Sequence, residues 1–366
     1  MNLNLVLQPI LILGGISGFL GIVLAICDKL FADYGTCKII INENAEGALE
    51  VKGGDTLLSA LLSNKIFIPA ACGGKATCGF CKVQVKSDVG EVLPTEKTWL
   101  TKKDIRNGVR LACQVKVKHD IEIAVPEELL HVQEFTGRVA GITDLTHDIK
   151  GFVFKLAHPP AISFKPGQYI QFKIPGTDEY RGYSLANMPT GQDSEIELMV
   201  RLIPGGLCTP YMHNELEVGD EVTFTGPYGD FYLREDTDRE IVCIAGGCGV
   251  APIKSIVTYL FNKKSQRTVW FFFGARQTRD IYCADIFGDM QARYKNFSFI
   301  VALSHAEPGE GWTGETGFIH GAVDKYISEG SEKDCYLCGP PLMIDACMKV
   351  LMAKGIPESQ IYFDKF

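Results

Sequence analysis

The chain has 366 residues, with 36 Lys and Arg against 44 Asp and Glu, for a net charge of −8. That sign, with no local Lys/Arg cluster to offset it, excludes a nucleic-acid partner. One core seldom organises more than about 250–300 residues, so two or three domains are expected.

Residues 1–27 carry no charge, and their apolar run is long enough for the roughly 20 residues a helix needs to cross a bilayer. A cleaved signal peptide calls for a basic residue ahead of the run and small residues at a cleavage site, and neither is present. Ile26 is too bulky for the position before a lipoprotein cysteine at Cys27. A retained transmembrane helix over 1–30 is expected. Lys29 and Lys38 lie only on its C-terminal flank, which by the positive-inside rule places a single-pass anchor in the inner (cytoplasmic) membrane with the other domains on the cytoplasmic side. Gly14, Gly18 and Gly21 suit close packing against another transmembrane helix, although glycine is common in such helices anyway.

From 35 to 128 the pattern is that of a small β-rich domain. Strands are expected over 38–42, 82–86 and 121–125. A helix over 56–64, capped by Asp55, repeats Leu57, Leu58, Leu61 and Leu62 at helical spacing, and a second helix is expected over 96–106. The first helix leads into Cys72-Gly-Gly-Lys-Ala-Thr-Cys78-Gly-Phe-Cys81, and Cys113 follows on the strand-like run 109–114. A glycine-rich loop can fold tightly enough for several thiolates to converge and for amides to point at bridging sulfides, as a [2Fe–2S] cluster requires. Structural zinc is the alternative for four thiolates, but zinc sites usually show two short Cys-x2-Cys knuckles. Disulfides fit poorly with 13 scattered cysteines beside nucleotide motifs of a reducing compartment.

Between 129 and 235, short turn-punctuated strands over 137–142, 151–156, 168–174, 195–203 and 220–225 suggest an antiparallel barrel. It holds Tyr180-Arg181-Gly-Tyr183-Ser184, where alternation puts Arg181 and Tyr183 on one face of a strand. Such a face suits a phosphate and a flat ring, with Ser184 able to hydrogen-bond the ring edge; surface Arg and half-buried Tyr are the plainer reading. Gly205-Gly206-Leu-Cys-Thr209-Pro210 reads as a helix start capped by Thr209 and able to cradle a pyrophosphate. From 236 to 366, continuous apolar strands over 241–245, 268–273, 297–303 and 334–337 alternate with helices, as in a doubly wound parallel sheet. After its first strand comes Gly246-Gly247-Cys-Gly249-Val-Ala-Pro252, a tight turn with a helix expected from Pro252, whose free N–H groups suit a pyrophosphate.

These motifs together resemble the ferredoxin-NADP reductase superfamily in its form fused to a [2Fe–2S] ferredoxin. Arg181-x-Tyr183-Ser184 is similar to its FAD signature, Gly246 to Pro252 to its nicotinamide-nucleotide turn, and Cys338-Gly339-Pro340-Pro341 to its nicotinamide-ring motif. Gly226-Pro-Tyr-Gly-Asp-Phe231 is similar to its segment joining barrel and nucleotide domain. The resemblance implies a β-grasp ferredoxin domain, an FAD barrel and an NADH domain. It implies that Arg181, Gly205, Gly206 and Thr209 hold the FAD phosphates, that Tyr183 stacks on the flavin and that Ser184 faces its N5 edge. Cys338 would lie near the hydride-donating carbon, and Phe366 would cover the flavin. NADPH-specific relatives place Arg or Lys after the serine ending the third strand. Here the pair is Ser304-His305, which disfavours NADPH, while Arg276 and Arg279 after the second strand leave it open.

The domain order, the Cys-x5-Cys-x2-Cys-x31-Cys spacing and Trp312-Thr-Gly-Glu-Thr-Gly-Phe-Ile-His320 are similar to the F subunits of sodium-translocating NADH:quinone reductases. Lys365 departs from that family, which more often has an acid there. The resemblance implies electron transfer from NADH through FAD and the cluster to other members of a membrane complex that reduces quinone and pumps sodium. A reductase for an oxygenase has the same cofactor domains and is the alternative; a noncatalytic cluster protein is disfavoured by the intact nucleotide motifs.

Overall fold

A computed structural model describes residues 13–23, 34–70, 72–177, 179–307 and 311–365, and the chain divides into two compact units, Met1–His131 and Val132–Phe366. In the first unit, α1 (13–23) is helical, with Leu13, Ile16, Phe19, Leu20 and Ile22 each more than half exposed. Much of the anchor expected over 1–30 lies outside the described residues. Among the described residues, no helix is long and apolar enough to cross a membrane.

The remainder of this unit is a five-stranded sheet in the order β2-β1-β5-β3-β4, built from β1 (Thr36–Ile41), β2 (Asn44–Lys52), β3 (Lys82–Val85), β4 (Val109–Leu111) and β5 (Ile121–Ala124). The first and last strands pair in parallel at its centre, and the other pairs are antiparallel, which is the β-grasp arrangement. Helix α2 (Leu57–Ser63) packs Leu57, Leu58, Ala60 and Leu61 into the core, and its N-cap is Thr56, whose hydroxyl accepts from Ser59 N–H. Asp55 does not cap it.

The helix expected over 96–106 is two short ones, α3 (Pro94–Lys97) and α4 (Lys102–Arg106). Leu100 turns inward between them. The break has a polar cause, because the Glu96 carboxylate is wholly buried and gathers Arg110 Nε and Nη2 at 3.0 and 2.7 Å with the N–H groups of Leu93 and Leu111. Helix α5 (Glu127–Leu130) closes the unit.

In the second unit, β6 (Gln133–Asp144), β7 (Ile149–His158), β8 (Tyr169–Lys173), β9 (Tyr180–Ser184), β10 (Glu195–Arg201) and β11 (Glu221–Tyr228) form an antiparallel sheet in the order β10-β7-β6-β11-β8-β9. A bridge between Leu185 and Leu198 joins its two edges and closes the barrel around Phe152, Phe154, Phe172 and Phe224. Helix α6 (Cys208–Asn214) follows β10.

A parallel sheet comes next, in the order β15-β14-β13-β12-β16-β17, from β12 (Glu240–Gly246), β13 (Val269–Ala275), β14 (Phe297–Leu303), β15 (Glu315–Thr316), β16 (Lys333–Gly339) and β17 (Ile361–Lys365). It is covered by α7 (Val250–Asn262), α8 (Ala284–Arg293), α9 (Ile319–Tyr326) and α10 (Pro341–Ala353). Helices on both faces bury Ile241, Val242, Cys243, Ile244 and Ala245 completely, which is why that strand reads as one apolar run. Barrel residues Ile149, Ala186 and Met199 share a core with α7 residues Val250, Ile253 and Val257. The strand order reverses between β12 and β16, so the crevice for a ligand is expected beyond their carboxyl ends.

Candidate functional site

The cysteine loop leaves α2 and runs through left-handed backbone at Gly73, Gly74, Ala76 and Gly79. Gly79 has a second reason to lack a side chain, since a Cβ there would lie 2.7 Å from the Trp99 ring, whose Nε1 donates to Ala76 O at 2.8 Å. The indole thus clamps the loop from outside. Cys113 lies two residues beyond the end of β4, in the turn that follows, instead of on the strand itself.

The four thiols meet as two pairs. Cys78 Sγ lies 3.3 Å from Cys72 Sγ in a half-buried outer pair, and buried Cys81 and Cys113 hydrogen-bond to one another. The hydrogen bond from Cys78 lowers the pKa of Cys72, and that from Cys81 lowers that of Cys113. Their donors Cys78 and Cys81 are pushed up by the same contacts and by burial. Among the described residues, no three Cys, His, Asp or Glu side chains are grouped so as to hold one metal ion. Two thiol pairs suit a group with two metal centres and two ligands on each, as in a [2Fe–2S] cluster.

In the barrel, Arg181 and Tyr183 share one face of β9, as alternation predicts. Arg181 is engaged there, with Nη2 on Glu179 Oε2 at 2.5 Å and Nη1 on Tyr180 O at 2.8 Å. Tyr183 sits edge-to-face on Phe172 and hydrogen-bonds Cys208 at the start of α6; burial, then the neighbouring thiol, pushes its phenol up. Ser184 ends the strand opposite Tyr169. Thr209 is not the cap of α6, because the helix starts at Cys208 with Leu207 before it. Its hydroxyl instead accepts from Ile203 N–H at 3.0 Å, and Gly206 N–H donates to Ile203 O at 2.9 Å. Both groups shape the loop, while Gly205, at positive φ, has open space above it.

Beyond the carboxyl ends of β12 and β16, at the reversal of strand order, a cleft of about 470 Å³ is lined by Gly246, Gly247, Arg276, Ser304 and Pro340, together with Arg201 and Asp148 from the barrel. A one-turn 3-10 segment, Gly247–Gly249, leads straight into α7 at Val250, so the helix begins two residues before Pro252, which is buried in its first turn. A Cβ on Gly249 would overlap the Cys338 carbonyl oxygen, and one on Gly246 would lie 2.7 Å from Met343 Sδ. The turn is glycine-rich because β16 and α10 crowd it from below. Gly339, at φ +140°, belongs to the same close packing.

Cys338 ends up in a different setting from the cleft residues. Its side chain is wholly buried in the core beneath the turn, where burial pushes the thiol far up, and it does not line the cleft. Phe366 lies outside the described residues. Arg201 and Asp148 are the residues that sequence reasoning missed. Arg201 Nε binds Asp148 Oδ2 at 2.7 Å. Burial opposes the charge on Asp148, but Thr146 and Arg201 hold its carboxyl below the usual range. Beyond the end of β14, His305 N–H donates to Arg276 O and the His305 ring meets Ser304 Oγ at 2.9 Å.

Three family models match consecutive parts of the chain: a 2Fe-2S iron-sulfur cluster binding domain over 39–118, an oxidoreductase FAD-binding domain over 136–232 and an oxidoreductase NAD-binding domain over 243–349. The F subunit of the Na(+)-translocating NADH-quinone reductase of Methylococcus capsulatus is 36% identical, covering 94% of this chain and 95% of its own. The chain belongs to the family of these F subunits. Its Serratia proteamaculans member is 33% identical over 96% of the chain and 98% of its own length. Among solved structures, the Amycolatopsis cytochrome P450 reductase GcoB superposes with a TM-score of 0.73 at 30% identity, covering 90% of this chain and 99% of that one. A ferredoxin reductase of carbazole 1,9a-dioxygenase gives 0.70 at 27% identity, covering 91% and 98%. The three matched domains bear out the [2Fe–2S], FAD and NADH expectations.

Proposed function

We propose that this chain is the electron-input subunit of a membrane complex that oxidises NADH, reduces quinone and translocates sodium. The observation that carries this is end-to-end similarity to the F subunits together with two thiol pairs, a barrel face bearing Arg181 and Tyr183, and a nucleotide cleft at the reversal of strand order. Bound FAD supplies acceptance of a hydride and bound [2Fe–2S] supplies single-electron transfer, the two capacities needed between a nicotinamide and a one-electron chain.

The chain's own residues bind and orient. Cys72 with Cys78, and Cys81 with Cys113, would hold the two irons, and the Trp99 clamp keeps the loop's shape. Arg181 would exchange Glu179 for the FAD diphosphate, Gly205 leaves room for it, and Tyr183 presents its ring to the flavin beside Ser184. Gly246, Gly247 and Gly249 bring the start of α7 close to the NADH diphosphate, with Pro252, Gly339 and Pro340 packing the turn. Arg201, oriented by Asp148, adds a cation from the barrel side.

Attachment to the membrane is supported by the uncharged run 1–27 and by the exposed apolar side chains of α1. The oxygenase-reductase reading shares the cofactor domains but matches at lower identity. Purification from native membranes separates the two. The proposal expects other membrane subunits to travel with the chain and NADH to bleach its flavin. A chain recovered soluble with an oxygenase would refute it.

A further inference from the structure

Tyr282 comes from the segment after β13, has 4% of its surface exposed and sets its ring edge-to-face on Phe273 at 5.6 Å. Its hydroxyl donates to Gly247 O at 2.7 Å. That carbonyl belongs to the nucleotide turn, accepts also from Val250 N–H, and is carried by a residue at φ +56°. A peptide unit is planar, and its C=O and N–H point in opposite directions. With Gly247 O held onto Tyr282 and Val250 N–H, the N–H of Cys248 points the opposite way, toward the N-terminal side of the turn, where Gly246 and Gly247 line the cleft. Turning that peptide over would rotate ψ of Gly247, which a glycine allows freely, and would carry Cys248 to positive φ, a cost to which the Tyr282 hydrogen bond adds. Turned over, it would present the negative end of a carbonyl to the ligand.

We propose that Tyr282 is a positioning residue for the dinucleotide, its hydroxyl holding the Gly247–Cys248 peptide in the orientation that offers N–H groups to a diphosphate. This rests on the reading that NADH occupies the cleft. Burial drives the Tyr282 phenol well above its ordinary pKa, so it remains a donor throughout the working range. Asp280, two residues earlier, lines the same cleft, and its carboxylate accepts from Gln277 N–H in the turn that delivers Tyr282. No fold-defining role is needed for the hydroxyl, because the ring alone fills the space against Phe273.

The test compares the full flavin-loaded chain with its Y282F variant, which keeps the ring, by calorimetric titration with NAD+, ADP-ribose and adenosine. Loss of one hydrogen bond that orients the turn is expected to weaken NAD+ and ADP-ribose by about three- to tenfold. Adenosine, which lacks the diphosphate, should bind both proteins alike. Equal ADP-ribose affinity in both proteins overturns the inference, and so does an equal loss for adenosine, which would mark a general distortion. If wild-type protein binds neither NAD+ nor ADP-ribose, the NADH reading of the cleft falls and the inference with it. Hydrogen exchange on wild-type protein gives a reading that needs no variant. ADP-ribose should slow exchange of the amides of Cys248 and Gly249, and unchanged exchange there contradicts the proposal.

Discussion

Arg181 shows how a residue can be legible in kind and not in state. Alternation along β9 placed it with Tyr183, yet nothing local announced that Glu179 would occupy its guanidinium. On the proposed reading, a flavin diphosphate would win that guanidinium from a carboxylate, which the doubly charged group can do because bidentate Arg–phosphate contacts are strong. Arg181→Ala should therefore weaken FAD by about tenfold or more, the value of a charge-assisted hydrogen bond. Flavin retained through gel filtration at wild-type stoichiometry and affinity would show that Arg181 does not hold it. The cluster domain was legible outright, because its chemistry is carried by the spacing of cysteine and glycine. Arg201 and Asp148 were not, since the pair joins positions 53 residues apart and only the closed barrel brings them together. The burial of Cys338 was not legible for a related reason. Its motif marks the correct turn, but a strand buried on both faces hides the thiol beneath it.

At the scale of elements, strands buried on both faces were the easiest to read, and β14 matched its expected bounds. Strand β2 was missed because its outward-facing edge position leaves Asn44, Glu46 and Gly47 exposed and blurs the two-residue period. The helix over 96–106 was misread because Glu96 looks like a helix-surface acid. In the fold, it is the buried partner of Arg110. Burial raises its pKa, and Arg110 with the Leu93 and Leu111 amides more than offsets this, so the folded value lies below the ordinary one. A depressed carboxylate contributes stability above its unfolded pKa, near 4.3, and loses it as pH falls through the folded value. Glu96→Gln leaves the Arg110 charge buried without its counter-ion and should cost about 3 kcal/mol near neutral pH. Thermal loss of the cluster's visible absorbance checks both points. The variant should fail at lower temperature at pH 7, and the gap should narrow below about pH 4. A gap that is constant with pH would show that the ion pair is not the cause.

For the whole molecule, the order of cluster domain, FAD barrel and parallel nucleotide sheet was legible from changes in strand period and from turn chemistry. The sharing of one hydrophobic core between barrel and nucleotide sheet was not, because it depends on α7 packing against Ile149, Ala186 and Met199. That shared core fixes barrel cations such as Arg201 beside the nucleotide turn, so the barrel and the nucleotide cleft are built as one body. The thiol loop belongs to the other compact unit, which makes it separable by mutation. The most direct test mixes NADH rapidly with wild-type and Cys113→Ala protein, each returned to membranes holding the remaining subunits. The variant is expected to show wild-type flavin bleaching while quinol formation falls to background. Quinol formation at the wild-type rate without Cys113 would contradict the route.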